Sequence, residues 1–233
     1  MTGQRAIGLG RRNYALLLTL LLVVLASESN TVKSGGAALI SDVFRTLLGI
    51  AVWAVVFRRK GERRVMGAVL IASIAVSWTR NFVADTYDHE ISLANQVLLA
   101  VFLWGAVYAI LRDLFIAPAS GVENVMGAIC GYIIAGDAWA RINAIAYLLV
   151  PAAYSINPEI AALLPDWRGR VALFTYYAFA QVLTIGYSDV TPIRTPATTL
   201  SLFAALFGVF YTAVVVSQFV GLAQQAKPPP GDP

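Results

Sequence analysis

The chain has 233 residues, 58% of them hydrophobic and only 13% charged, with 17 Lys plus Arg against 13 Asp plus Glu. An ordinary soluble domain carries about 25% charged residues, so a water-soluble fold could not cover this much apolar surface, and the expected solvent is a bilayer. One cysteine (Cys130) and one histidine (His89) exclude an intrachain disulfide and a zinc site of the usual kinds.

A membrane-spanning helix needs about 20 mostly apolar residues. Stretches of that kind run over 13–29, 37–57, 64–83, 94–115, 122–155 and 195–224. They predict an all-α membrane protein with six transmembrane helices. The first stretch follows basic residues and ends in Ala26, Ser27 and Ser29, which is also the pattern of a cleaved signal peptide. A retained helix is the favoured reading, because it completes a four-helix front half. A shorter apolar helix is expected over 170–183. It cannot span, and a short helix at membrane depth is tolerated only where protein shields it or water lines it. It is therefore read as re-entrant, between the last two spans.

The chain is expected to divide into a front half over 1–120, a second unit over 121–224 and a disordered, proline-rich tail over 225–233. No ligand-binding module is expected after the last helix. The stretch 122–155 would extend about 51 Å as one helix, and Gly127, Gly131 and Gly136 offer places to bend.

Charge sets the orientation. Arg5, Arg11 and Arg12 precede the first helix, Arg58, Arg59, Lys60, Arg63 and Arg64 join the second and third, Arg112 closes the fourth, and Lys227 follows the last. Six spans place all of these on one side, cytoplasmic by the positive-inside rule, together with both termini. Asp85, Asp88, His89 and Glu90 face the other side. The net charge of +4 is thereby explained by topology and by attraction to anionic lipid, not by nucleic acid.

Inside the helices, Asp42 and Arg45 stand three apart, and Asp137 and Arg141 four apart. Both spacings put opposite charges on one helix face. They are read as ion pairs that reduce the cost of insertion, with a functional role as the alternative. Cys130 lies in an apolar helix and is read as a small buried hydrophobe.

The six residues Thr184-Ile185-Gly186-Tyr187-Ser188-Asp189 carry the chemistry. They lie between the short aromatic helix and the final long one. Backbone carbonyls can line a narrow pore and replace the water shell of a cation, provided the side chains point away. Such a strip needs residues in unusual backbone regions, which glycine reaches without steric cost. Gly186 suits one such position, the Thr184 hydroxyl can add an oxygen at the cytoplasmic entrance, and the Tyr187 ring can act as a spacer.

The stretch from Tyr176 to Pro192, Tyr-Tyr-Ala-Phe-Ala-Gln-Val-Leu-Thr-Ile-Gly-Tyr-Ser-Asp-Val-Thr-Pro, resembles the pore region of tetrameric potassium channels. The order of the family pattern is kept, including Asp189 and Pro192. The resemblance implies a selectivity filter that binds K+ through the backbone carbonyls of Thr184, Ile185, Gly186 and Tyr187, with Ser188 at the outermost position. It implies filter support from Asp189 and Tyr177, and a homotetramer, since one chain supplies one strip of four. Gly208, 20 residues after Ser188, stands where such channels often carry an inner-helix hinge. Close helix packing is the equal alternative. Thr212 and Val216, one turn apart, are expected to face the cavity.

Two residues depart from the family pattern. Leu183 replaces the first of two threonines. Ser188 replaces the second filter glycine, where a side chain at positive φ costs about 1–2 kcal/mol. Either the strip keeps its shape with a weakened outer ion site, or that carbonyl turns away and discrimination against Na+ falls.

A sensing fourth helix would need arginines at every third residue. The stretch 94–115 has Arg112 alone, with Trp104 and Tyr108 where charge would be needed, so no conventional voltage sensor is expected. Gly186-Tyr187-Ser188-Asp189 begins like a hydrolase nucleophile elbow, but Val190 takes the place of its last glycine. His89 is read as a solvated loop residue. No enzyme activity, cofactor or soluble ligand is expected. A small secondary transporter would show an internal repeat with paired broken helices, and none is visible. The expectation is a passive K+ channel of a bacterial-type plasma membrane, with a weakly selective Na+/K+ channel as its alternative.

Overall fold

The computed structural model describes residues 14–28, 35–79, 88–116, 122–186 and 189–225. Eight helices and two short strands follow in order: α1 (Tyr14–Glu28), α2 (Gly35–Val56), α3 (Lys60–Thr79), α4 (Asp88–Ile116), α5 (Val122–Leu149), β1 (Tyr154–Ile156), α6 (Pro158–Ala161), α7 (Trp167–Val182), β2 (Val190–Pro192) and α8 (Ala197–Gln225). Proline explains much of this division. None of the ten prolines precedes residue 118, and none stands inside a long helix, where it would remove a donor and clash with the preceding turn.

Three helices are long and apolar enough to cross a membrane: His89–Ile116, Glu123–Leu149 and Ala197–Ser217. A shorter apolar helix covers Tyr14–Ala26. Helix α5 is the organising element, and α1, α4, α7 and α8 all pack on it. One core joins Leu17 and Leu21 of α1, Val52 and Val56 of α2, Leu70 of α3, Phe102 and Ile110 of α4, and Cys130 and Ile134 of α5. Cys130 is fully buried there, as read. Trp104 at the middle of α4 packs edge-on against Trp139 of α5 and Phe207 of α8, with ring centroids 5.4 Å and 5.6 Å apart.

Helix α5 differs from the sequence expectation of one helix over 122–155. It ends at Leu149, because Pro151 cannot continue it and forces Val150 out of the helical region, to φ −140° and ψ 74°. The chain then makes a 3-10 turn at Pro151–Ala153 and enters β1. The three glycines do not serve as bends. Each admits an aromatic side chain instead: Tyr14 at Gly127, Tyr211 at Gly131 and Phe179 at Gly136.

The charged residues within the helices find partners. Arg141 pairs with Asp137 at 2.6 Å as expected, and its other amine reaches Gln96 of α4 at 3.4 Å. Asp42 pairs with Arg168 of α7 at 2.8 Å, not with Arg45 as its spacing predicted. A partner 126 residues away is invisible to a helix-face argument. The Arg112 guanidinium at the end of α4 is taken up by Glu62 of α3 and by Asp113.

Removing one member of a buried ion pair strands the other, a loss of about 3 kcal/mol or more. The substitution Asp137→Ala leaves the 95% buried Arg141 without its carboxylate. It is expected to lower the unfolding temperature in detergent clearly, whereas Glu90→Ala, at an exposed position, leaves it unchanged. Equal melting of both variants would refute the assignment.

Candidate functional site

Asp166 starts α7 by accepting a hydrogen bond from the Arg168 backbone at 3.2 Å, a side-chain cap of the usual kind. The helix is 16 residues long and runs into the segment expected to form the filter. At its far end each of the last four carbonyls finds a partner. Phe179 accepts from Leu183 at 2.9 Å, Gln181 from Thr184 at 2.9 Å, and Ala180 from both Ile185 at 2.8 Å and Gly186 at 3.2 Å. The fourth, Val182, accepts from the Tyr132 hydroxyl of α5 at 3.1 Å.

This is a Schellman ending, with Thr184 in the left-handed position that glycine usually takes. Its φ is 57°, and Gly186 follows at φ 69°. A β-branched residue in that region is a true outlier, worth about 1–3 kcal/mol of strain. Alternate residues, 184 and 186, thus occupy the left-handed region, the kind of alternation the carbonyl strip was argued to need.

The hydrogen-bond inventory of the segment is one-sided. Its backbone donors, from Leu183 to Gly186, all turn back to α7. Among the described residues, no hydrogen bond is accepted by the carbonyls of Thr184, Ile185 or Gly186. All three residues are exposed on the single chain. A strip with spent donors and unspent acceptors attracts cations, and the negative end of the α7 dipole adds to that preference.

The outer end of the segment is tied to the loop after α5. Strands β1 and β2 pair antiparallel, with Tyr154 opposite Pro192, Ser155 opposite Thr191 and Ile156 opposite Val190. The Asn157 amide donates to the Asp189 carbonyl at 2.9 Å, and the Ile193 amide to Ala153 at 2.9 Å. Tyr154 is buried and donates to Asn143 Oδ1 at 2.9 Å. Burial pushes its phenol well above the usual range, so it stays a donor. Its ring meets those of Phe174 and Tyr177, at 5.3 Å and 5.9 Å.

Of the residues singled out by sequence, Asp189 is contacted from α7 by Tyr176, whose hydroxyl donates to Oδ2 at 3.4 Å. Tyr177, expected at the filter, turns to α8, where its hydroxyl lies 2.5 Å from Ser201 Oγ. Tyr187 and Ser188 lie outside the described residues. The Thr212 hydroxyl donates to the carbonyl of Gly208 at 3.0 Å, and Val216 is exposed. Gly208 packs against the end of α7. A Cβ there would come within 1.9 Å of the Val182 carbonyl oxygen and 2.8 Å of its carbon. Sequence reasoning missed Tyr132, Tyr176 and Ser201, as well as the strand before α6. Only the last had a local signal, in Pro151 and the Asn157-Pro158 turn.

Residues 166–225 match a family model described as an ion channel. The match supports an ion channel. It begins at the cap of α7 and ends with α8, so it covers the short helix, the strip and the final span. No curated protein and no solved structure matches the chain.

The Gly208 contact is backbone against backbone, so it cannot be relieved by a rotamer change. Overpacking of this kind costs about 1–3 kcal/mol. Gly208→Ala is expected to lower thermal stability by that amount and Gly208→Val by more. Gly61→Ala, where nothing lies within 4 Å, should cost nothing. Thermal unfolding of the three variants in one detergent checks the order.

Proposed function

We propose that this protein is a K+-selective channel whose filter is the strip of backbone carbonyls from Thr184 to Tyr187. The observation that carries the reading is the one-sided inventory. Four consecutive amides are tied to α7, while among the described residues the carbonyls of Thr184, Ile185 and Gly186 accept no hydrogen bond. At membrane depth an unsatisfied carbonyl costs several kcal/mol. A dehydrated cation on a shared axis supplies the missing partner, and the Thr184 hydroxyl completes the innermost site.

One chain offers one strip, so the functional unit is a homotetramer. Helix α8 supports this reading. Only 22% of its apolar window is buried within the chain, against 61% for α5. Leu202, Phe203, Leu206, Val209 and Phe210 remain uncovered, available to neighbouring copies and lipid. In the proposed topology α1–α5 and α8 are six spans, α7 is the re-entrant pore helix, and both termini are cytoplasmic. Thr212 and Val216 line the cavity. Gly208 acts as a packing point for the filter base.

Conduction is not driven by a conventional voltage sensor. Arg112, the one arginine of α4, is held by Glu62 and Asp113, and Trp104 locks the middle of that helix against α5 and α8.

A second reading, a weakly selective Na+/K+ channel, follows from Ser188. Reversal potentials of the purified protein in planar bilayers under opposed K+ and Na+ gradients separate the two. The expected shift lies near the K+ equilibrium value, and a reversal near zero gives the second reading. Gly186→Asp places a carboxylate on the strip and is expected to abolish unitary currents while leaving the oligomer intact. Undiminished currents from that variant would remove the strip from the pathway.

Thr184→Gly tests the strain. Glycine relieves the left-handed cost and deletes the hydroxyl. Thermal stability without K+ should rise by about 1 kcal/mol, while the stabilisation conferred by added K+ should shrink. A loss of stability with unchanged K+ response would contradict both halves of the argument.

A further inference from the structure

We propose that Asp42 and Arg168 are positioning residues for the filter, forming a strut through which the front helices hold the pore-helix end of the strip. The proposal rests on the reading of 184–187 as that filter. Arg168 is the second residue of α7, and its guanidinium lies across the Trp167 ring at 4.4 Å. From there it reaches Asp42 Oδ2 of α2 at 2.8 Å. Two residues on, Arg170 donates to Ser92 Oγ of α4 at 3.2 Å, and to the Leu164 and Pro165 carbonyls at 2.9 Å and 3.3 Å. The first turn of α7 is thus tied to two front helices by two separate side chains.

What makes the Asp42 link more than ordinary packing is the space beside it. A cavity of about 100 Å³ lies among α1 to α5 and reaches the first turns of α7. Asp42, Thr46 and Gly49 of α2 and Trp167 and Val171 of α7 are among the residues that line it. Helices α2 and α7 make little direct contact with each other, so apolar packing does little to fix their separation. The ion pair joins them directly. Asp42 is 93% buried, so water screens the attraction little. Helix α7 is about 24 Å long at 1.5 Å per residue, and a hydrogen-bonded rod of that length transmits displacement with little bending. Its other end carries the Ala180 carbonyl that holds both the Ile185 and Gly186 amides. A shift of the front helices therefore reaches the strip through Arg168.

Hydrogen exchange of the full-length protein in detergent tests this. The reporter is the 183–186 segment, and the α5 segment 132–146 is the internal control. Asp42→Asn, Arg168→Gln and the double neutral variant are each expected to speed exchange of the reporter by about tenfold or more, with the control unchanged. Asp42→Glu, which keeps the carboxylate, should exchange like wild type. Wild-type exchange in Asp42→Asn overturns the proposal. So does recovery in the double variant, since the pair would then matter only by neutralising a stranded charge. K+ flux from wild-type liposomes is a separate arm. Absence of flux overturns the channel reading and with it the filter role, whereas flux with an unmoved reporter overturns the strut alone.

Discussion

The structure turns on one constraint: a polar backbone at membrane depth must find partners for every donor and acceptor. In ordinary spans the helix satisfies both sets internally. Between Leu183 and Gly186 the chain leaves the helix, and among the described residues only its donors are satisfied, by folding back on the carbonyls of Phe179, Ala180 and Gln181. The same turn uses up the end of α7, and the next three residues are exposed on the single chain. This requires left-handed backbone at two positions, one of them a threonine. Local strain of this kind persists where the surroundings over-determine it. Here the surroundings are the Tyr132 hydroxyl on the Val182 carbonyl, the bare Gly208 pressed against the same group, and the β1–β2 ribbon on the outer side.

The supports fall into two kinds. Around the C-terminal half of α7 they are close-packed. Phe179 fits the space left by Gly136, and the Val182 carbonyl fits the space left by Gly208. Tyr177 and Ser201 join α7 to α8. Around its N-terminal turn they are long, charged side chains beside a cavity. Packing is short-ranged and stiff, so the C-terminal end of α7 is fixed tightly to α5 and α8. Ion pairs tolerate small changes of distance, so the other end is held but adjustable. The asymmetry lies in the arginines of the first turn, since Gly169 there also packs closely, against the Leu163 carbonyl.

The candidate segment could be singled out from the sequence, whereas its tertiary partners could not. The order Thr184, Gly186, Asp189, Pro192 is local, and its chemistry depends on main chain that any reader of the sequence can place. The expectation failed where the answer depended on tertiary partners. Asp42 has a basic residue three positions on, yet a stronger geometry was available across the fold at Arg168. Tyr176 and Tyr177 are adjacent in a helix that is apolar on most faces, so nothing in their spacing told which would turn to Asp189 and which to α8. The extent of α5 was legible in Pro151. It was overlooked because the apolar run continues past it, and hydrophobicity says nothing about whether a backbone donor is present.

The two unfinished surfaces of the single chain point the same way. One is the α8 face, apolar and uncovered over Leu202, Phe203, Leu206, Val209 and Phe210. The other is the carbonyl strip, polar and uncovered. Lipid can solvate the first but not the second, and water can solvate the second but not the first. The proposed channel gives each its proper surroundings by placing the strip on an enclosed aqueous axis with α8 between that axis and the bilayer. A lone chain cannot enclose anything with one strip. Rotational copies, as proposed, can, with the strips facing one another around the axis. The proposed tetramer is thus the assembly in which the apolar and the polar halves of this problem have the same solution.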